Sequence, residues 1–220
     1  MIETGVLFDD IHSFYDLNLI ISAVEITPAS PKTTYVDIPG ADGSIDLTEA
    51  HGEVKYSDRS ITCTFTMNPT GDLSEAAWEE KKTEVSNRLS GKACRITLDK
   101  DPDYYWQGRC TVNSFKSNKR LRQIVVTGKI RPYKLKQHET SMTFALTETK
   151  RTVSLPNSRQ SVCPVITCTD DDTEIIFNGN TFNFSAGSHK DLNIRFTEGS
   201  NALTISGTGR VTFSYQEGDL

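Results

Sequence analysis

No run of apolar residues in this sequence approaches the ~20 needed to cross a bilayer as a helix, so a helical membrane span is excluded. The opening Met1-Ile2-Glu3-Thr4-Gly5 has neither a basic n-region nor an apolar h-region. A secretory signal is therefore not expected, and synthesis in a cytoplasm without export by that route is. A basic excess is also missing. The formal net charge of −5 argues against a nucleic-acid-binding protein. Cysteine is sparse: Cys63, Cys94, Cys110, Cys163 and Cys168 form an odd, scattered set. Such a set is poor evidence for a disulfide framework, and reduced cysteines in strands are expected. Cys163 and Cys168 have no histidine or second cysteine pair nearby, which speaks against zinc.

Catalytic patterns are equally scarce. Gly-x-Ser-x-Gly, His-Glu-x-x-His, the P-loop and Gly-x-Gly-x-x-Gly do not occur, and His12, His51, His138 and His189 are spread widely. Asp170-Asp171-Asp172 lacks the rest of a calcium loop and reads as a polar turn. Asp99, Asp101 and Asp103 crowd around Pro102 and read as a reverse turn closing a hairpin, not as glycosidase carboxylates. No enzyme, cofactor or metal site is expected.

What is present is β patterning. In 60–67, Ile61, Cys63, Phe65 and Met67 share one face and Ser/Thr residues the other, as in a half-buried strand. Segments 24–26, 34–38, 95–98, 104–112 and 123–130 read likewise, punctuated by Pro39-Gly40, Asp42-Gly43, Pro69-Thr70-Gly71 and Asn178-Gly179. In 104–106, alternation places Tyr104 and Trp106 on one face and Tyr105 on the other. One segment differs. Asp72-Leu73-Ser74-Glu75 is shaped like a capping box with Asp72 as N-cap, and Trp78, Val85 and Leu89 give a narrow apolar stripe before Gly91. One amphipathic helix is expected over roughly 73–90, packed on a sheet through Trp78. Arg131-Pro132-Tyr133 ends the last strand of this region, and the polar stretch 134–141 marks a domain boundary. Two domains follow, 1–136 and 137–220. The second has no helix pattern and about seven short strands, predicted at 142–146, 151–155, 162–168, 174–177, 191–196, 201–205 and 210–215, which suggests a small β-sandwich.

Charge is polarised along the chain. Residues 1–60 carry 11 acidic and 3 basic side chains. Residues 116–136 carry eight basic side chains (Lys116, Lys119, Arg120, Arg122, Lys129, Arg131, Lys134 and Lys136) and no acidic one. Two readings stand open: solvated faces, packed against each other within one subunit, or complementary edges of neighbouring subunits in a head-to-tail ring. A third, nucleic-acid binding by the basic run, is disfavoured because the run lacks aromatic interleaving outside Phe115 and sits in an acidic protein. For the second reading, Lys116, Lys119, Arg120 and Arg122 form the candidate inter-subunit patch.

Several phrases, taken in order, carry a resemblance: Gly5-Val6-Leu7-Phe8, Tyr15-Asp16-Leu17-Asn18-Leu19-Ile20, Val36-Asp37-Ile38-Pro39-Gly40-Ala41-Asp42-Gly43-Ser44-Ile45-Asp46-Leu47-Thr48, Gly52-Glu53-Val54-Lys55-Tyr56, Asp101-Pro102-Asp103-Tyr104-Tyr105-Trp106-Gln107-Gly108-Arg109 and Pro132-Tyr133-Lys134. Together they resemble the distal tail (Dit) proteins of long-tailed, non-contractile phages or prophages of Gram-positive bacteria. Glu198-Gly199-Ser200-Asn201-Ala202-Leu203-Thr204-Ile205 and Val211-Thr212-Phe213-Ser214-Tyr215 resemble the end of the same family. The resemblance implies a mainly β chain: an N-terminal β-sandwich with one helix and an extended hairpin, similar to a tail-tube subunit, then a galectin-like or carbohydrate-module-like sandwich. It implies a non-enzymatic structural protein of the virion tail tip, or baseplate. Six copies would form a ring between the tail tube and the tail-associated hub (or lysin) protein, with DNA passing through the centre without specific binding. A tape measure protein and a receptor-binding protein would be further partners. A carbohydrate-binding adhesin is the alternative, since two β-sandwiches also permit it.

Overall fold

A computed structural model describes residues 5–50, 52–118 and 121–220. The described residues are mainly β, with one helix, and the chain divides into two compact units, residues 1–134 and 135–220.

In the first unit the strands are β1 (Val6–Phe8), β2 (Ile11–His12), β3 (Leu19–Ile26), β4 (Tyr35–Asp37), β5 (Ser44–Asp46) and β6 (Arg59–Met67). Helix α1 (Glu75–Leu89) follows, then β7 (Ala93–Leu98), β8 (Asp101–Ser117) and β9 (Arg122–Ile130). An antiparallel sheet runs in the order β2-β1-β7-β8-β9-β6-β3, and β4 and β5 pair only with each other. The period-two pattern of β6 is observed as expected. Ile61, Cys63, Phe65 and Met67 are buried, and the intervening threonines are not. Phe65 meets Phe8 edge-on at 6.2 Å. Full burial of an apolar side chain of this size is worth about 1.5–3 kcal/mol, so the face chosen by β6 fixes its register.

Trp78, Val85 and Leu89 form the buried stripe of α1. The cap differs from the expected one. Ser74, not Asp72, is the N-cap, and its Oγ accepts from Ala77 N at 3.2 Å. An N-cap side chain must reach the second or third helical N–H, which Ser74 does. Asp72 instead accepts from Ser74 N at 2.7 Å, forming a turn ahead of the helix. Glu75 does not reach back to Asp72 but pairs with Arg122. The helix ends at Ser90, and Gly91 follows with φ 77°, the left-handed position where glycine is favoured.

The expected turn at Asp101–Asp103 is also displaced. The turn lies at Asp99–Lys100, and Asp101–Asp103 already belong to β8. Tyr105 and Trp106 are both buried, while Tyr104 lies beneath Lys134 Nζ at 4.1 Å.

β10 (Lys134–Lys136) spans the division between the units and is followed by β11 (Thr140–Ala145), β12 (Arg151–Asn157), β13 (Val165–Cys168), β14 (Thr173–Phe177) and β15 (Asn180–Phe184). Then come β16 (Gly187–His189), β17 (Gly199–Ser206), β18 (Arg210–Tyr215) and β19 (Gly218–Asp219). Two four-stranded antiparallel sheets, β11-β18-β13-β16 and β12-β17-β14-β15, enclose a core that includes Leu155, Ile166, Ile175, Phe196 and Phe213. The predicted strand over 191–196 does not form. Only Phe196 bridges, to Val162, although Ile194 and Phe196 are buried. In its place β15 and β16 complete the sheets, and Asn178-Gly179, both at positive φ, turn β14 into β15. Two consecutive left-handed residues match the twist of a tight hairpin.

Candidate functional site

The basic stretch is centred on the β8–β9 hairpin. β8 is 17 residues long, and its last residues, Phe115 to Ser117, pair with Ile124 to Arg122 at the hairpin end. Lys116 lies there, exposed. Lys119 and Arg120 lie outside the described residues. Arg122 is turned inward onto the helix, where it donates to the Ser74 carbonyl and, at 2.9 Å, to Glu75 Oε2. Its guanidinium also lies 6.0 Å from the Trp78 ring.

Further along the chain, Lys129, Lys134 and Lys136 are engaged locally. Lys129 pairs with Asp58 at 3.2 Å, Lys134 with Asp101 at 2.7 Å and Lys136 with Glu217 at 2.7 Å. Of these, Asp58–Lys129 joins the acidic first sixty residues to the basic stretch. Exposed pairs of this kind contribute little to stability.

The acidic counterpart is the arm between β3 and β6. It is held as a two-stranded excursion by Thr27 N to Ser60 O, Ser57 N to Ser30 O, Lys32 N to Lys55 O and Leu47 N to Thr34 O, at 2.7–3.0 Å. Residues 27–58 carry six acidic side chains against two lysines. The β4–β5 hairpin within this arm leaves Tyr35, Val36, Ile38, Ile45 and Leu47 exposed, between 42% and 59% each. The alternation in 34–38 suggested a half-buried strand, but no other described strand lies against it. By strand alternation Val36, Ile38, Ile45 and Leu47 share one face of the hairpin and Tyr35 lies on the other. β3 is the sheet's edge, and a groove of about 320 Å³ beside it is lined by Gly5, Ile21, Val24, Ile26, Leu98 and Lys100. Unpaired strand edges are sites where another chain can add.

The side chains considered for chemistry do not converge. Asp99 accepts from Gly5 N at 2.6 Å and faces His12 Nε2 at 3.1 Å, while His12 Nδ1 accepts from Phe14 N and Tyr15 N. These contacts tie the first strands to the β7–β8 turn. Asp171 accepts from Ala186 N, and Asp170 from the Thr169 hydroxyl. His189 lies 2.8 Å from the Ser185 carbonyl. Among the described residues no group of three or more His, Cys, Asp or Glu side chains is placed to hold a metal. Nor is any helix among them long and apolar enough to cross a membrane.

Compared with solved structures, the chain is similar over its whole length to the crystal structure of SPP1 Dit (gp 19.1) protein. The TM-score is 0.70, with 99% of each chain covered and 12% sequence identity. The chain has the fold of a phage Dit protein. That protein is described as a paradigm of the hub adsorption apparatus in phages infecting Gram-positive bacteria. No family model and no curated protein matches the sequence. The Dit fold thus covers both units at a level of identity where shape is retained and few individual side chains are.

Proposed function

We propose that the chain is a non-enzymatic structural protein of a phage tail tip or baseplate. In this reading residues 1–136 are the ring-forming belt domain. Six copies form a ring that joins the tail tube to the tail-associated hub, with DNA passing through it. Residues 137–220 form the second sandwich, carried by the ring. The observation that carries the reading is the β4–β5 hairpin: an acidic arm with five exposed large apolar side chains, in a chain with the Dit fold. An exposed apolar hairpin calls for a partner, and a head-to-tail ring supplies one from the neighbouring copy. The opposite charges of the arm and of Lys116, Lys119 and Arg120 suit such a contact, whereas Arg122 is engaged with Ser74 and Glu75.

The test is mass by light scattering together with negative-stain images, on the protein alone and with tail-tube and hub proteins. A six-fold ring with an open pore is expected. A monomer that stays monomeric with those partners overturns the reading. A glycan array addresses the adhesin alternative: glycan binding without ring formation would favour it.

A further inference from the structure

Cys94 on β7 and Cys110 on β8 are 16 residues apart in sequence, yet their sulfurs lie 3.3 Å apart inside the first unit. The register explains the approach. Gly108 is directly opposite Cys94, and Gly128 of β9 is directly opposite Cys110. Neither cysteine therefore faces a side chain in its paired position on those strands, and each meets the other diagonally. Both are buried, at 8% exposed for Cys94 and 1% for Cys110. The backbone around them is fixed, because Gly91 N donates to Cys110 O and Cys110 N to Lys92 O.

We propose that Cys94 and Cys110 are an oxidisable pair that closes to an intrachain disulfide, stapling β7 to β8, when the protein meets a small peroxide. The sulfurs must approach by roughly 1.2 Å to reach the bonded separation of about 2.05 Å. The two thiols have different roles. Either thiol can donate to the other, and with Cys110 as the donor that hydrogen bond holds the Cys94 thiol below its ordinary range. The same hydrogen bond, with burial, pushes Cys110 up. In this scheme Cys94 is the nucleophile and Cys110 the resolving thiol. Cys94 thiolate attacks one oxygen of hydrogen peroxide and the O–O bond breaks. This gives a sulfenic acid on Cys94 and hydroxide, which takes up the proton lost by Cys94. Cys110 sulfur then attacks Cys94 sulfur. The S–O bond breaks, and its oxygen leaves as water with the Cys110 proton. Overall, two thiols and one peroxide give one disulfide and two waters. Burial pushes Cys63 up to about 12, which keeps it out of this exchange.

The proposal goes beyond the assembly reading and does not depend on it. Its test is to treat the fully reduced, folded chain with hydrogen peroxide, denature it, alkylate it and map the modified cysteines by mass spectrometry. The expected result is loss of two of the five alkylatable thiols, at Cys94 and Cys110, in one cross-linked peptide pair of a monomeric chain. A phosphine reductant should restore both. The oxidised protein should also melt above the reduced one, and C110A should lose that difference. Oxidation confined to Cys163, or further oxidation of Cys94 to sulfinic acid while Cys110 stays alkylatable, overturns the proposal. Because the mapping uses the wild-type chain, a variant that fails to fold does not blunt it.

Discussion

The Trp78 ring meets the Phe115 ring edge-on, with centroids 6.1 Å apart and planes at 87°. This contact joins α1 to the outer part of β8. Trp78 is 2% exposed and Phe115 40%. Trp78→Ala should therefore cost about 3–5 kcal/mol, as large-to-small changes in a core do. Phe115→Ala should cost only about 0.5–1.5 kcal/mol, the worth of an aromatic pair. Urea denaturation of both variants checks this. Equal costs would mean that the indole is not the anchor of the helix.

Arg122 works differently from Lys116, which is exposed at the hairpin end. Because it donates to Ser74 O and Glu75, reversing it removes a helix anchor as well as a surface charge. The triple variant Lys116→Glu, Lys119→Glu, Arg120→Glu should leave the melting temperature within a few degrees of wild type and weaken assembly, most clearly at low salt, where surface charges are least screened. Adding Arg122→Glu should lower the melting temperature as well. Light scattering at two ionic strengths separates these effects. Assembly that is unchanged in low salt for the triple variant would remove the charged-edge reading.

Glu217 is 5% exposed and holds together the second unit's first and last strands. Its carboxylate accepts from Lys136 Nζ at 2.7 Å, from Ser158 Oγ at 2.9 Å and from the Thr140 hydroxyl. Burial alone would push its carboxyl up. The three hydrogen bonds and the Lys136 charge outweigh that and hold it below the usual carboxylate range. A depressed carboxyl contributes stability that is present above its unfolded value, about 4.3, and is lost as pH falls through the lower folded value. Urea midpoints should thus fall on acidification below about pH 4.3 more steeply for wild type than for Glu217→Gln. At pH 7 that variant should cost about 1.5–3 kcal/mol, the range for hydrogen bonds to a charged group. Parallel pH curves would refute the assignment.

Gly207 sits at φ 134°, and a Cβ built there would lie 2.6 Å from the Asp172 carbonyl oxygen. Gly207→Ala thus combines a disfavoured backbone with a clash against main chain. A loss of about 1–3 kcal/mol is expected. Gly179→Ala, at φ 79° with open space around it, provides a comparison with backbone strain but no clash, and should cost less. Thermal melts of the pair check the difference.

The fold was legible where periodicity and burial agree. β6 and the Trp78–Val85–Leu89 stripe could be read directly, because one face of each is packed and the other is not. The stretch 191–196 misled for the same reason in reverse. Leu192, Ile194 and Phe196 alternate like a strand, yet Leu192 is 73% exposed and only Phe196 joins a ladder, through its bridge to Val162. Asn180–Phe184 went unread because its polar residues hid a hairpin partner that the Asn178-Gly179 turn all but requires. The approach of Cys94 to Cys110 depends on the β7–β8 register, which a sequence separation of sixteen does not reveal. The apolar alternation of Val36 and Ile38 was visible. That it faces outward was not, since sequence does not distinguish a side chain buried in its own core from one left open.

The length of β8 has a mechanical consequence. Its first half is laddered to β7, and its partner β9 is laddered to β6, so the β8–β9 hairpin is gripped along both flanks. A pull along the strand axis at the hairpin end would load both outer ladders in shear, with many hydrogen bonds sharing the force at once, instead of opening them one by one. The hairpin end is thereby suited to carry load into the sheet.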